Sequence, residues 1–95
     1  MSTFTATPEE MRMVSDLIAS EYAKYVDVIA NINAQITNLG QNWEGMAYES
    51  FRESFNSKLP YLNEGAEMTR EFNMKLLKAA GDFEESEQRI SGKLV

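Results

Sequence analysis

The sequence predicts an all-α protein, a helix-turn-helix hairpin of two long antiparallel helices that dimerises into a four-helix bundle. Three observations predict it. Apolar residues recur at steps of seven and four through both halves of the chain. A turn signal, Leu39-Gly40-Gln41-Asn42-Trp43-Glu44-Gly45, stands almost at the midpoint and holds the sole tryptophan. Each apolar stripe is also wider than a two-stranded seam requires, with aromatic residues on both flanks. The 95 residues make a single domain, 1–95, near the low end of what buries a core unaided.

Residues 1–6 are expected to be loose. The first helix, about 8–39, opens at Thr7-Pro8-Glu9-Glu10. Threonine there is an N-cap, proline fits the first helical position, and a glutamate three residues after the cap completes a capping box. Met11, Ile18, Tyr25, Ile32 and Leu39 follow at steps of seven, and Tyr22, Ile29 and Ile36 complete the seam. Val14 and Val28 widen it on one side. Asp16, Glu21, Lys24 and Asp27 on the outer face are a solvated surface rather than catalytic groups.

The turn occupies residues 40–45. Gly40 is placed for the left-handed C′ position of the first helix, and Asn42 for the N-cap of the second, with Glu44 favouring that helix's positive end. The second helix is expected over about 44–86. Tyr48, Phe55, Leu62, Leu76, Phe83 and Ile90 share one seven-residue series in which Thr69 is the single polar member. Phe51, Leu59, Ala66, Phe72, Ala79 and Ala80 flank it on the same side. Pro60 removes the amide that would bond to the Asn56 carbonyl, so a kink near 58–61 is expected. The heptad phase runs through Pro60 unshifted, which favours one kinked helix over a third helix capped by Ser57. Gly81, the acidic run and Gly92 favour fraying, so 87–95 reads as a flexible tail carrying Ile90, Leu94 and Val95.

Composition excludes much. With no cysteine and no histidine, disulfides, thiolate sites, the usual neutral-pH base and the commonest transition-metal ligand are all missing, and the carboxylates are scattered along helical faces. No enzyme activity, metal or cofactor is expected. A net charge of −6 argues against nucleic acid as a partner. No apolar run is long enough for stable membrane insertion, and the amino terminus lacks the basic region and apolar core of a cleaved signal peptide. An apolar strip along a hairpin of this kind needs a cover, which a two-fold partner supplies.

Asn42-Trp43-Glu44-Gly45 at the hinge of a cysteine-free helical hairpin resembles the WXG family of small type VII secretion substrates, the ESAT-like proteins. The resemblance extends to Ala47 and Phe51 in Trp-x-Gly-x-Ala-x-x-x-Phe and to the Thr-Pro-Glu-Glu start, and covers nearly the whole chain. It implies secretion from the cytoplasm without a cleaved signal peptide, as a folded helical dimer, through a membrane-bound type VII secretion ATPase. It also implies a composite signal, in which the Trp-x-Gly turn of one subunit lies close to a Tyr-x-x-x-Asp/Glu element beyond the second helix of the other. The nearest match here is Phe83 with Glu87, which keeps the ring and loses the hydroxyl.

On that resemblance Trp43, Glu44, Gly45, Phe83 and Glu87 are the secretion-signal and partner-binding residues. Trp43 would be the apolar anchor, with Gly45 allowing close approach beside it. Met11, Ile18, Tyr22, Tyr25, Ile29, Ile32, Ile36, Leu39, Tyr48, Phe51, Phe55, Leu59, Leu62, Phe72 and Leu76 form the core and dimer stripe. Three functional readings stand: a self-sufficient homodimeric secreted substrate; an adaptor that pairs with a sister protein or the helices of a larger toxin; and a membrane-perturbing effector, which the acidic charge opposes on anionic lipid.

Overall fold

The computed structural model describes residues 6–43 and 45–94, with backbone alone for 90–94. Two helices account for nearly all of it: α1 spans Pro8–Leu39 and α2 spans Met46–Leu94. At the rise of an α-helix, the 49 residues of α2 make a rod of about 73 Å, far longer than α1 with 32. Neither helix has a covering third layer among the described residues.

The start of α1 is built as its residues dictate. Thr7 is extended and its side chain accepts a 3.1 Å hydrogen bond from the Glu10 amide, with Pro8 in the first turn and Glu9 and Glu10 at the positive end.

The turn differs from expectation in two ways. Gly40 has φ −63° and ψ −17°, an ordinary right-handed conformation, so it is no left-handed cap. The chain instead coils on past Leu39: the amides of Asn42 and Trp43 both bond to the Leu39 carbonyl, at 3.1 and 3.0 Å. Consequently Asn42 does not cap α2. That helix begins at Met46, where the Gly45 carbonyl accepts the Glu49 amide at 3.2 Å. The reversal falls on Gly45, whose φ of +113° is a conformation that a side chain would strain.

Helix α2 runs unbroken through Pro60, so no third helix forms. It also continues past 86 to Leu94, in place of the flexible tail expected over 87–95. The reason is local. Glu84, Glu85, Glu87, Gln88 and Arg89 are good helix formers, and i,i+4 pairs tie Lys78 to Asp82 and Arg89 to Glu85. Glu84 also reaches back to Arg12 of α1 at 2.7 Å. Residues 1–5, Glu44, Val95 and the side chains of Ile90 and Leu94 lie outside the described residues.

The seam is thin. Among the described residues the buried hydrophobic side chains are Ile29, Ile36, Ala66 and Ala80. Met11, Ile18, Tyr22, Tyr48, Phe55, Leu59, Leu62 and Leu76 are half-buried, whereas Tyr25, Ile32, Leu39, Phe51 and Phe72 remain exposed. Burying an Ile side chain contributes about 1.5–3 kcal/mol, and ordering a residue costs about 1–2 kcal/mol, so a seam with so few buried side chains leaves a hairpin marginal on its own.

Candidate functional site

The hinge gathers three aromatic side chains. The Trp43 ring meets Tyr48 edge to face with centroids 5.7 Å apart, and meets Phe51 at 6.1 Å with a 39° tilt. Tyr48 sits two residues and Phe51 five residues into α2, so both reach back over the turn from the same side of its first turns. The Tyr48 hydroxyl donates a 3.0 Å hydrogen bond to the Ile36 carbonyl in the last turn of α1, which also accepts the Gly40 amide at 3.3 Å. Trp43 remains 36% exposed, so the indole has one side against α2 and the other in solvent. Such an amphipathic plate is the kind of anchor that protein interfaces favour.

Beside this cluster lies an open apolar groove in which Ile32, Ile36 and Leu39 of α1 face Phe51 of α2. A second shallow groove, further from the hinge, sets Tyr25 and Val28 against Thr69. Tyr25 crosses between the helices here: its hydroxyl donates to the Leu62 carbonyl at 3.1 Å, and a Cβ at Gly65 would stand 3.0 Å from it. Phe72 lies one heptad after Gly65 and Phe51 two heptads before, which puts them on the same side as Tyr25. This face is therefore the more apolar one, interrupted by Lys58 in the series from Phe51 to Phe72 and by Glu21 and Lys24 beside the second groove. The other carries the cross-helix polar pairs, Arg12 with Glu84 and Arg52 Nη1 donating to Thr37 at 3.2 Å. Ala19 stands one heptad from Arg12, and Ala30 and Ala23 one and two from Thr37, while the same spacing puts the exposed Val26 and Leu77 on this side as well.

Of the five signal residues, the structure brings none of the second group near the first. Phe83 is 39% exposed and Glu87 is exposed, both far along α2, about 55 Å from its start at Met46. A single chain cannot join Trp43 to Phe83. Gly45 has open space where a Cβ would project, and its positive φ serves the backbone reversal. Glu44 lies outside the described residues.

Electrostatics add little at the hinge. Hydrogen bonds from Arg70 hold the Glu67 carboxyl below its ordinary range, and Glu67 raises Arg70 in turn. A hydrogen bond to Asp82 raises the Lys78 ammonium. All are solvent-exposed pairs within α2, worth little to the fold. Among the described residues no three carboxylates converge on a point where a metal ion would sit. Sequence reasoning missed the part Tyr48 plays in this cluster, having placed it only in the core stripe. Its position five residues after Trp43 and eight after Gly40, across a short turn, was the available signal.

The family model for proteins of 100 residues with WXG matches residues 3–91. The ESAT-6-like protein SAG1039 of Streptococcus agalactiae is 26% identical over 94 residues, covering 99% of this chain and 98% of that one. Protein YukE of Bacillus subtilis is 24% identical over 88 residues, 93% of this chain and 91% of its own. The type VII secretion system extracellular protein A of Staphylococcus aureus is 24% identical over 91 residues, 96% of this chain and 94% of its own. With two long helices, a half-exposed tryptophan on the hinge between them, and a match running through nearly every residue, this chain belongs to the WXG100 family.

Proposed function

We propose that this protein is a small substrate of a type VII secretion system, secreted from the cytoplasm without a cleaved signal peptide as a folded helical dimer. Trp43 is the residue that the secretion ATPase recognises. The observation that carries the reading is the half-exposed indole, held on the rings of Tyr48 and Phe51 at the tip of a hairpin with one apolar face. Family membership supports it, as does a relative named a type VII secretion system extracellular protein. An antiparallel two-fold dimer through the apolar face buries Tyr25, Ile32, Leu39, Phe51 and Phe72. It also sets the Trp43 turn of one subunit against the Phe83–Glu87 end of its partner, which a single chain leaves about 55 Å apart.

A second reading makes the chain an adaptor, paired with a sister protein or with the helices of a larger toxin that brings the complete signal. Phe83 favours it, since a phenyl ring offers no hydroxyl to a recognition groove. The test is export from a bacterium that carries the system, comparing the native chain with Trp43→Ala. Native protein in the medium, with Trp43→Ala retained in the cell as an intact helical dimer, supports the first reading. Export only on co-expression of a partner supports the second. Normal export of a folded Trp43→Ala contradicts a recognition role for Trp43.

A further inference from the structure

Gly40 and Tyr48 are fitted to each other. A Cβ at Gly40 would lie 2.5 Å from Cζ of the Tyr48 ring and 2.6 Å from its hydroxyl, distances that real atoms do not adopt. The right-handed backbone at Gly40 suits any residue, so the absence of a side chain there serves only to admit that ring. The ring is then fixed at both ends. Its hydroxyl bonds to the Ile36 carbonyl at 3.0 Å, and its body meets the indole of Trp43 at 66°.

We infer that Tyr48, seated on Gly40, is the positioning residue of Trp43. A tyrosine that merely filled the seam would need neither a hydroxyl bond to the end of α1 nor a cleared position beneath it. Here both restrain the ring whose face and edge set the indole, and the turn itself offers Trp43 a backbone bond to Leu39 followed by the flexible geometry of Gly45. A pre-set indole loses less rotamer freedom when a partner closes on it, so the contact gives more affinity than the same ring swinging free. The inference rests on the proposed recognition role of Trp43 for its consequence in export, and on geometry alone for the positioning itself.

Trp43 is the sole tryptophan, so its emission reports the site directly. Three variants separate the parts: Tyr48→Leu removes the ring, Tyr48→Phe removes only the hydroxyl, and Gly40→Ala displaces the ring while leaving both aromatic residues in place. Expected for Tyr48→Leu and Gly40→Ala are native-like helical circular dichroism, emission shifted to the red, easier quenching by acrylamide, and export reduced by roughly tenfold. Tyr48→Phe, which keeps the ring contact, should fall between these and the native chain in quenching and export. Unchanged emission and quenching in a folded Gly40→Ala or Tyr48→Leu protein overturns the positioning. If Tyr48→Leu loses its helices, the Gly40→Ala result decides alone. Loosened Trp43 with undiminished export overturns the link to recognition when Trp43→Ala blocks export. When Trp43→Ala is itself exported normally, the recognition reading is what fails, and the quenching data still decide the positioning.

Discussion

Ser15, near the start of α1, donates a 2.6 Å hydrogen bond to Oδ1 of Asn73 on α2, 58 residues further along the chain. Ser15 is only 3% exposed, which makes it the one buried polar side chain among the described residues. A satisfied polar pair inside an apolar seam discriminates between registers, because a slip of one turn leaves both groups buried without partners.

Ser15→Ala should therefore cost about 1 kcal/mol, the usual worth of such a bond plus part of the burial penalty left on Asn73. In a domain of this size that is a melting temperature lower by roughly 4–8 °C, at matched protein concentration. The double variant Ser15→Ala with Asn73→Leu removes both polar groups and should recover most of the loss. Equal melting temperatures for Ser15→Ala and the native chain would show that the pair does not hold the seam.

Gly65 and Gly81 of α2 give different expectations from the same substitution. A Cβ at Gly81 meets nothing within 4 Å, so Gly81→Ala should gain nearly the full helix preference of alanine, about 1 kcal/mol. Gly65→Ala places its Cβ 3.0 Å from the Tyr25 hydroxyl and strains the bond to Leu62, so its gain should be smaller or absent. Thermal melts of the two variants side by side check this, and a larger gain at Gly65 would contradict the packing of Tyr25 across it.

Most of the fold was legible because helical periodicity and capping are local. Thr7 and Pro8 start α1 where their chemistry requires, and the sevenfold series through Ile29 and Ile36 lies in the seam. What was not legible depends on contacts across the turn. Gly40 looked like a left-handed cap because glycine after a helix usually is one; only the position of Tyr48, brought back by the turn, reveals that the space matters and the conformation does not. Ser15 follows Met11 by four and precedes Ile18 by three, which is a seam position, yet its partner Asn73 could be assigned only with the register known. The helical continuation past 86 is hidden because Gly81, Gly92 and the acidic run all suggest fraying, whereas those acids are helix formers and Glu85 pairs with Arg89 one turn on. At the candidate site, Trp43 and Gly45 were visible in the sequence, and the ring that orients Trp43 was not.

The two faces of the hairpin should respond differently to charge. Phe72 is 60% exposed, so Phe72→Glu should leave the helices formed, but it buries a carboxylate if the apolar face is the subunit contact. The dimer should then weaken by at least about 3 kcal/mol, roughly a hundredfold in dissociation constant. Ala23→Glu on the polar side should leave association unchanged. Sedimentation across a concentration series compares them, and equal effects from both sites would mean that the apolar face is not the contact.

Stability should be flat across neutral pH. The chain has no histidine, and its shifted groups act elsewhere. Glu67 is held below its ordinary range, so its contribution is complete above that range and fades only as pH falls through the lowered value. Lys78 is raised, so its contribution is complete below the ordinary lysine range and fades only as pH climbs through the raised value. Melting temperatures at about pH 6, 7 and 8 should agree within error. A steep change inside that interval would point to a titrating group that the fold does not explain.

The most direct measurement is the solution mass of the protein purified alone, by equilibrium sedimentation, with helical circular dichroism on the same sample. The expected result is a stable, strongly helical particle at twice the 10.8 kDa chain mass, because the more apolar face needs a second copy to cover it. A well-folded helical monomer at 10.8 kDa would contradict it, since the exposed face would then need no cover at all.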